Sequence, residues 1–324
     1  MSSQDQSQPQ LQMLDVGAIR MRVATQGQGP LVLLCHGFPE SWVSWRSQLA
    51  ALAQAGFRAA APDMRGYGGT DAPDSPDQYT MLHHAGDMVG LVKALGERTA
   101  VIVGHDWGAP AAWNTALLRP DMFRAVVGLS VPYTPPSAVD LLSALEQAGI
   151  TTFYMQYFQR LGVAESELGR DPAATLRRVT YSMSGDGPDK TVAGILPLGA
   201  GFLDGTDDPK ELPPWMDAED LAYVAGEFAR TGFRGGLNWY RAIRRTAELM
   251  APWRGCFIHQ PSLFIAGSKD DVLRFPGMDK RVAALSKVLP GLRGTHILEG
   301  AGHWVQRERG AEVNRLLVQF LRSL

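Results

Sequence analysis

The sequence predicts a doubly wound α/β protein, a mostly parallel sheet with helices on both faces and a helical lid inserted into it. Three observations carry that expectation. Short, nearly continuous apolar runs begin at Leu31 (LVLLC), Thr99 (TAVIVG), Arg124 (RAVVGLSV) and Pro261 (PSLFIAG), and each is stopped by glycine, proline or a polar cluster. Strands covered on both faces have that pattern. Helical patterns over 81–95 and 107–118 lie between these runs and are long enough to serve as crossovers. After Pro132 the alternation stops, and 135–248 contains no strand-like run.

Taken in chain order, residues 1–12 are polar and rich in Ser and Gln, so they are expected to form a disordered tail. The α/β core is expected over 13–134 and 249–324, with a helical cap over 135–248. Within the cap, helical segments at 138–147, 153–159, 218–230 and 238–246 are separated by connectors rich in Pro and Gly, such as 185–188 and 212–214. A further strand at 295–298 precedes a C-terminal helix over 311–324, in which Val313, Leu316, Leu317 and Phe320 share one face.

Composition removes several function classes. Of 324 residues, 45% are hydrophobic and 20% charged, which is incompatible with wholesale disorder. The formal net charge is −2, so the basic footprint of a nucleic-acid or membrane-surface protein is missing and a small-molecule partner is expected. No apolar run approaches the ~18 residues of a membrane span, and the N-terminus has neither a basic segment nor an apolar one, which points to a cytoplasmic protein. Cys35 and Cys256 could form at most one disulfide and are expected to be reduced. A monomer and a homodimer are both compatible with the sequence.

The sharpest chemical signal is Gly104-His105-Asp106-Trp107-Gly108, between an apolar strand and a helix. Small residues on both sides of a central side chain mark a nucleophile elbow, the strained strand-to-helix turn that lifts one side chain out at the sheet's carboxyl edge. Here that side chain is Asp106, and G-x-S-x-G occurs nowhere in the chain. A carboxylate is ionised at neutral pH and can attack saturated carbon without a base to deprotonate it, leaving an ester that activated water can hydrolyse. The base is expected to be His303, in the Gly-rich loop Gly300-Ala301-Gly302-His303-Trp304 after the last strand. Its orienting acid is expected to be Asp270, in Ser268-Lys269-Asp270-Asp271, because the chain order Asp, Asp, His then follows the hydrolase pattern. Asp271 competes for that role. The backbone N–H groups of Phe38, in His36-Gly37-Phe38-Pro39, and of Trp107 are the expected oxyanion hole, and Pro39 suits a turn with a cis bond.

Asp63-Met64-Arg65-Gly66-Tyr67-Gly68-Gly69-Thr70-Asp71 has the look of a phosphate loop but lacks both the Walker lysine and the G-x-G-x-x-G spacing, so a structured turn is expected. The remaining histidines, His83, His84, His105, His259 and His296, have no ligand spacing. Neither a metal nor a cofactor is expected.

Together these pieces resemble the soluble epoxide hydrolases of the α/β-hydrolase fold. The resemblance runs from about Leu31 to Arg307, and its strongest segments are HGFPESW (36–42), DMRGYGGTD (63–71), GHDWGA (104–109), SKDDVL (268–273) and GAGHW (300–304). Two more lie in the cap, YMQYFQ (154–159) and GFRGGLNWY (232–240). The resemblance implies a detoxifying hydrolase in which Tyr154 and Tyr240 face the nucleophile, with Tyr157 and Tyr133 as possible competitors. Phenols suit that task, since they stay protonated at neutral pH and two of them can grip the poor alkoxide leaving group of an opening epoxide. Phe38, Trp107, Tyr154, Tyr240 and Trp239 are the implied substrate contacts, and Phe153, Met155, Phe202, Trp215 and Leu237 are further candidates for an apolar slot.

Two alternatives share the fold. A haloalkane or haloacid dehalogenase uses the same Asp nucleophile, but its halide wants N–H donors, and Phe38 supplies none from its side chain. A ligand receptor of the hydrolase fold would bind without turnover, and the intact set of catalytic positions weighs against it.

Overall fold

The computed structural model describes residues 8–188 and 194–324. Its centre is an eight-stranded sheet in the order β1-β2-β4-β3-β5-β6-β7-β8. The strands are β1 Gln10–Asp15, β2 Arg20–Gln26, β3 Leu31–Cys35, β4 Arg58–Pro62, β5 Ala100–His105, β6 Phe123–Leu129, β7 Ser262–Gly267 and β8 Leu292–Leu298. β1 and β2 run antiparallel to their neighbours, and the remaining pairs are parallel.

Every residue of β3, β5 and β7 is buried, which is why these segments read as unbroken apolar runs. The strands missing from the sequence reading lack that signature. β4 is Arg-Ala-Ala-Ala-Pro, and Ala is a weak strand former. Residues 10–12, expected in the disordered tail, are instead the first half of β1, with Gln10 opposite Thr25, Leu11 opposite Ala24 and Gln12 opposite Val23. An edge strand is held by its backbone ladder, so its side chains can stay in solvent, as Leu11 and Met13 do, and carry no burial pattern. Residues 1–7 of that expected tail lie outside the described residues. The last strand begins three residues earlier than expected, because only alternate β8 side chains are covered.

Helices α1 Arg46–Gln54, α2 Met81–Ala94 and α3 Gly108–Leu118 connect the first strands, and α11 Met278–Ala283, α12 Leu285–Val288, α13 Val305–Glu308 and α14 Gly310–Arg322 accompany the last two. The chain leaves β3 toward β4 on one side and returns to β5 on the other. The loops after β3 and β5 therefore diverge, and doubly wound sheets open a ligand crevice at such a switch point. His36-Gly37-Phe38 leaves β3 there, and Asp106 leaves β5.

Between β6 and β7 lie α4 Leu141–Gln147, α5 Tyr154–Tyr157, α6 Val163–Leu168, α7 Pro172–Ser182, α8 Ala218–Thr231, α9 Arg234–Arg241 and α10 Ile243–Leu249. α6 and α7 were not legible in the sequence, and the expected helix over 238–246 is two helices separated at Ala242. α9 seats this layer on the core. A Cβ on Gly235 would strike the Gly66 carbonyl, and one on Gly236 would strike the Phe38 ring, so the paired glycines of GFRGGLNWY let the helix backbone reach the core loops. The 63–71 loop is a structured turn whose polar groups are used internally. Asp63 accepts from the N–H groups of Trp42 and Gly69 and pairs with Arg22 at 2.6 Å, while Arg65 forms a buried two-pronged pair with Asp87. Cys35 and Cys256 are free thiols. Among the described residues no helix is long and apolar enough to cross a membrane.

Candidate active site

Asp106 stands at the turn between β5 and α3 with φ +50°, a left-handed backbone that costs about 1–3 kcal/mol for a residue with a side chain. Its glycine neighbours make the turn possible. A Cβ on Gly104 would strike the Gly108 carbonyl, one on Gly108 the Cys35 carbonyl, and one on Gly37 the Asp106 carboxylate itself. The Phe38 N–H donates to Asp106 Oδ1 at 2.7 Å, and the Phe38–Pro39 peptide is cis. The other expected donor, the Trp107 N–H, makes no hydrogen bond to that oxygen here; Trp107 caps the start of α3 with helical φ and ψ.

His303 Nε2 lies 3.4 Å from Asp106 Oδ2, and its Nδ1 lies 3.0 Å from Asp270 Oδ1. Asp270, His303 and nearly all of Asp106 are buried. The Val272 N–H also donates to Asp270 Oδ1 at 3.0 Å. Asp271, the competitor, lines the cavity above the nucleophile and lies 3.8 Å from Arg274. Burial pulls the His303 pKa down, but the Asp270 and Asp106 carboxylates outweigh it and hold the imidazole well above its ordinary range. Burial likewise works against ionisation of Asp270, yet His303, the Ser130 hydroxyl and the Val272 N–H together keep its carboxyl below the usual range.

The cap supplies two phenols to the same cavity. Tyr154 at the start of α5 and Tyr240 on α9 line it together with Phe38, Asp106, Phe202 and His303. Their rings meet edge to face, 5.9 Å between centroids. Phe158, fully buried, packs at 5.5 Å from Tyr154 and 4.9 Å from Tyr240, and Gln159 Nε2 donates to the Tyr240 carbonyl at 3.1 Å. The F-Q of YMQYFQ thus ties one tyrosine's helix to the other's. Burial, then the negative charge of Asp106, raises the Tyr154 pKa well above the phenol range; for Tyr240 burial, Tyr154 and Asp106 act in that order and direction. Both remain donors at any moderate pH.

The competing tyrosines are engaged elsewhere, Tyr133 donating to the Cys256 carbonyl and Tyr157 to Glu167. Trp239 is a correction to the expected substrate contacts. It is buried away from the cavity, its indole N–H donating to the Arg65 carbonyl at 3.0 Å and its ring stacked on His84 at 3.5 Å, because the side chain preceding Tyr240 on a helix points to a different face. Trp107 meets Tyr240 edge to face at 5.0 Å and is not among the residues lining the cavity. Of the other cap candidates, Phe202 lines the cavity; Phe153 packs on Phe275, Leu237 is in the core, Met155 packs against it and Trp215 donates to Asp186.

Three supporting residues escaped the sequence reading. Glu40, within HGFPESW, accepts from the Gly37 N–H and from His105 Nδ1, whose other ring nitrogen is 2.8 Å from the His303 carbonyl. Burial opposes its ionisation, but His105 and His36 bring its pKa down to about 2. Glu308 accepts the N–H groups of Gly185, Gly302 and Trp304 at 2.8, 2.8 and 3.0 Å, stapling the His303 loop to both layers. Ser130, just past β6, puts Oγ 3.0 Å from His303 Nδ1. A carboxylate within the HGFPESW segment was the only available hint for Glu40; Glu308 and Ser130 offered none.

With this geometry in place, likeness to known proteins becomes informative. The alpha/beta hydrolase fold family matches residues 30–309. The chain is 42% identical over 320 residues to epoxide hydrolase A of Mycobacterium tuberculosis, covering 98% of each chain. It is 43% identical over 308 residues to epoxide hydrolase 1 of Siraitia grosvenorii, covering 94% of this chain and 96% of that one. An epoxide hydrolase structure from an endophytic Streptomyces superposes with a TM-score of 0.92 at 46% identity, covering 98% of this chain and 96% of that one.

Proposed function

The chain belongs to the epoxide hydrolases of the α/β-hydrolase fold, and from that premise we propose that it converts an apolar epoxide and water into a vicinal diol through an ester on Asp106. Residues 135–248 act as the cap, and 13–134 with 249–324 as the catalytic core. The observation that carries the reading is the convergence in one cavity of a carboxylate and imidazole from the sheet edge with two phenols from the cap.

Asp106 Oδ1 accepts the Phe38 N–H, which leaves Oδ2 as the attacking atom. The Oδ2–carbon bond forms as the ring C–O bond breaks, and the departing alkoxide takes hydrogen bonds from Tyr154 and Tyr240 and then a proton from one of them, which becomes a tyrosinate. Alkylation neutralises Asp106. One of the charges that held the His303 pKa up is thereby lost, so the imidazolium gives up its proton, the tyrosinate regains one, and the neutral imidazole becomes free to act as a base. Its Nε2 then takes a proton from water, hydroxide adds to the Asp106 carboxyl carbon, and the Phe38 N–H, joined by that of Trp107 as the carbon becomes tetrahedral, stabilises the oxyanion. A well-placed donor of that kind is worth about 3 kcal/mol. The Cγ–Oδ2 bond breaks as His303 returns its proton to Oδ2, the diol leaves with Oδ2, and the new Asp106 carboxylic acid passes its proton to His303, which restores the starting charges.

Atom bookkeeping tests the scheme. In a single turnover with enzyme in excess and heavy-oxygen water, the diol is expected unlabelled and the peptide containing Asp106 labelled. Heavy oxygen in that first diol, with none in the peptide, would replace covalent catalysis with direct attack by water.

A further inference from the structure

Among the described residues, two that are not glycine have positive φ, Asp106 at +50° and Ser130 at +68°. The first is the nucleophile. Ser130 follows β6 in a turn in which the Val131 N–H donates back to the Leu129 carbonyl at 2.8 Å, a three-residue γ-turn whose left-handed form is rare and strained. Its neighbourhood fixes this conformation. The Ser130 N–H donates to the Ile265 carbonyl on β7 at 2.9 Å, and the Trp113 indole N–H donates to the Val131 carbonyl at 3.1 Å. Backbone strain persists where the surroundings over-determine it, and it concentrates at functional sites.

The strained turn places the Ser130 side chain, with no solvent exposure, 3.0 Å from His303 Nδ1, the same distance that separates this nitrogen from Asp270 Oδ1. Nδ1 carries the proton it donates to Asp270, so the Ser130 oxygen can only accept there. The hydroxyl and the Asp270 carboxylate thus both face the one proton on Nδ1.

We infer that Ser130 is a positioning residue for the hydrolytic half of the reaction: with Asp270 it fixes the His303 tautomer protonated at Nδ1, leaving Nε2 free to take the proton of water. The inference rests on the reading of His303 as the base for ester hydrolysis. Ring opening does not use that base, so Ser130 should leave it alone.

Two variants separate hydroxyl from backbone. Ser130→Gly suits the positive φ and removes the hydroxyl; Ser130→Cys keeps the shape and backbone but substitutes a poor hydrogen-bonding group. Both are mixed rapidly with styrene oxide and quenched for intact-protein mass spectrometry, alongside the unsubstituted protein. Ester formation is expected within about twofold of the parent rate and ester decay about tenfold slower, the loss typical of one hydrogen bond to a charged pair, so that ester builds up in the steady state. Equal slowing of both steps, parental decay in either variant, or slow decay in Ser130→Gly alone would overturn the role. If the unsubstituted protein itself forms no ester, the Asp106 and His303 reading fails first and the role of Ser130 falls with it.

Discussion

The sheet edge and the cap hold their catalytic groups by different physics. At the sheet edge every group is pinned by short hydrogen bonds on backbone that has little freedom: Asp106 on a left-handed turn, His303 between Asp270 and Ser130, and its loop stapled by Glu308. In the cap, Tyr154 and Tyr240 are held mainly by aromatic contacts with Phe38, Phe158 and Phe202, with polar ties on their backbones, from Gln159 to the Tyr240 carbonyl and from the Tyr154 N–H to the Gly194 carbonyl. Hydrogen bonds set direction, which a base and a nucleophile need in order to aim one lone pair. Aromatic packing sets distance over a broad minimum and lets a phenol turn with its leaving group. The two halves should therefore fail in different ways.

The largest separation is expected from His303→Gln, which removes the base but spares the nucleophile and the phenols. Ester decay should fall by a factor on the order of 10⁶, as for loss of a triad histidine, while ring opening continues. Intact mass after mixing with substrate should rise by one epoxide; an unmodified mass with diol still forming would remove His303 from the scheme. Next in size, Tyr154→Phe and Tyr240→Phe should each slow ring opening about a hundredfold, the lower end of general-acid catalysis, and the double variant should nearly abolish it. Ester decay, followed from preformed intermediate in either single variant, should be unchanged. Parental turnover of styrene oxide by the double variant would reduce the tyrosines to packing groups.

A smaller effect probes the cap's mode of support. Phe158→Leu shrinks the ring between the two phenols and should cost about 1–2 kcal/mol of stability, as other shape changes in a packed core do. Ring opening should fall severalfold with ester decay at the parent rate, and slowing of ester decay instead would show the two halves to be mechanically joined.

The smallest effect is one of pH. His303 has its folded pKa raised above the unfolded value of about 6.5 by Asp270 and Asp106 against the opposing pull of burial, so its contribution to stability is complete below that value and fades as pH rises through the folded pKa. The Tm of the unsubstituted protein minus that of His303→Gln should accordingly be greatest below about pH 6.5 and narrow toward alkaline pH. The cap phenols, raised above their usual range, stay protonated over the same interval, and Tyr240→Phe should give a Tm difference that does not vary across it. A difference that widens with pH for His303→Gln would mean that the imidazole is not stabilised in its charged form.

What the sequence determined by itself was whatever a few neighbouring residues can encode. Unbroken apolar runs reported strands covered on both faces, and two glycines flanking Asp106 reported a turn too tight for side chains, since a Cβ at either would meet a carbonyl. Chain order proposed Asp270 and His303, and resemblance alone proposed Tyr154 and Tyr240. The tertiary structure decided everything that depends on segments far apart in the chain. β1 exists because β2 offers it a ladder, β4 because its alanines are covered, and Trp239 turns from the cavity because Arg65 and His84 receive it. Ser130 left no trace in the sequence, since a serine after a strand is common and its meaning comes from His303, 173 residues later. Local periodicity reports burial, but a hydrogen bond across such a separation is fixed only when the strands between have packed and aimed both partners at one point.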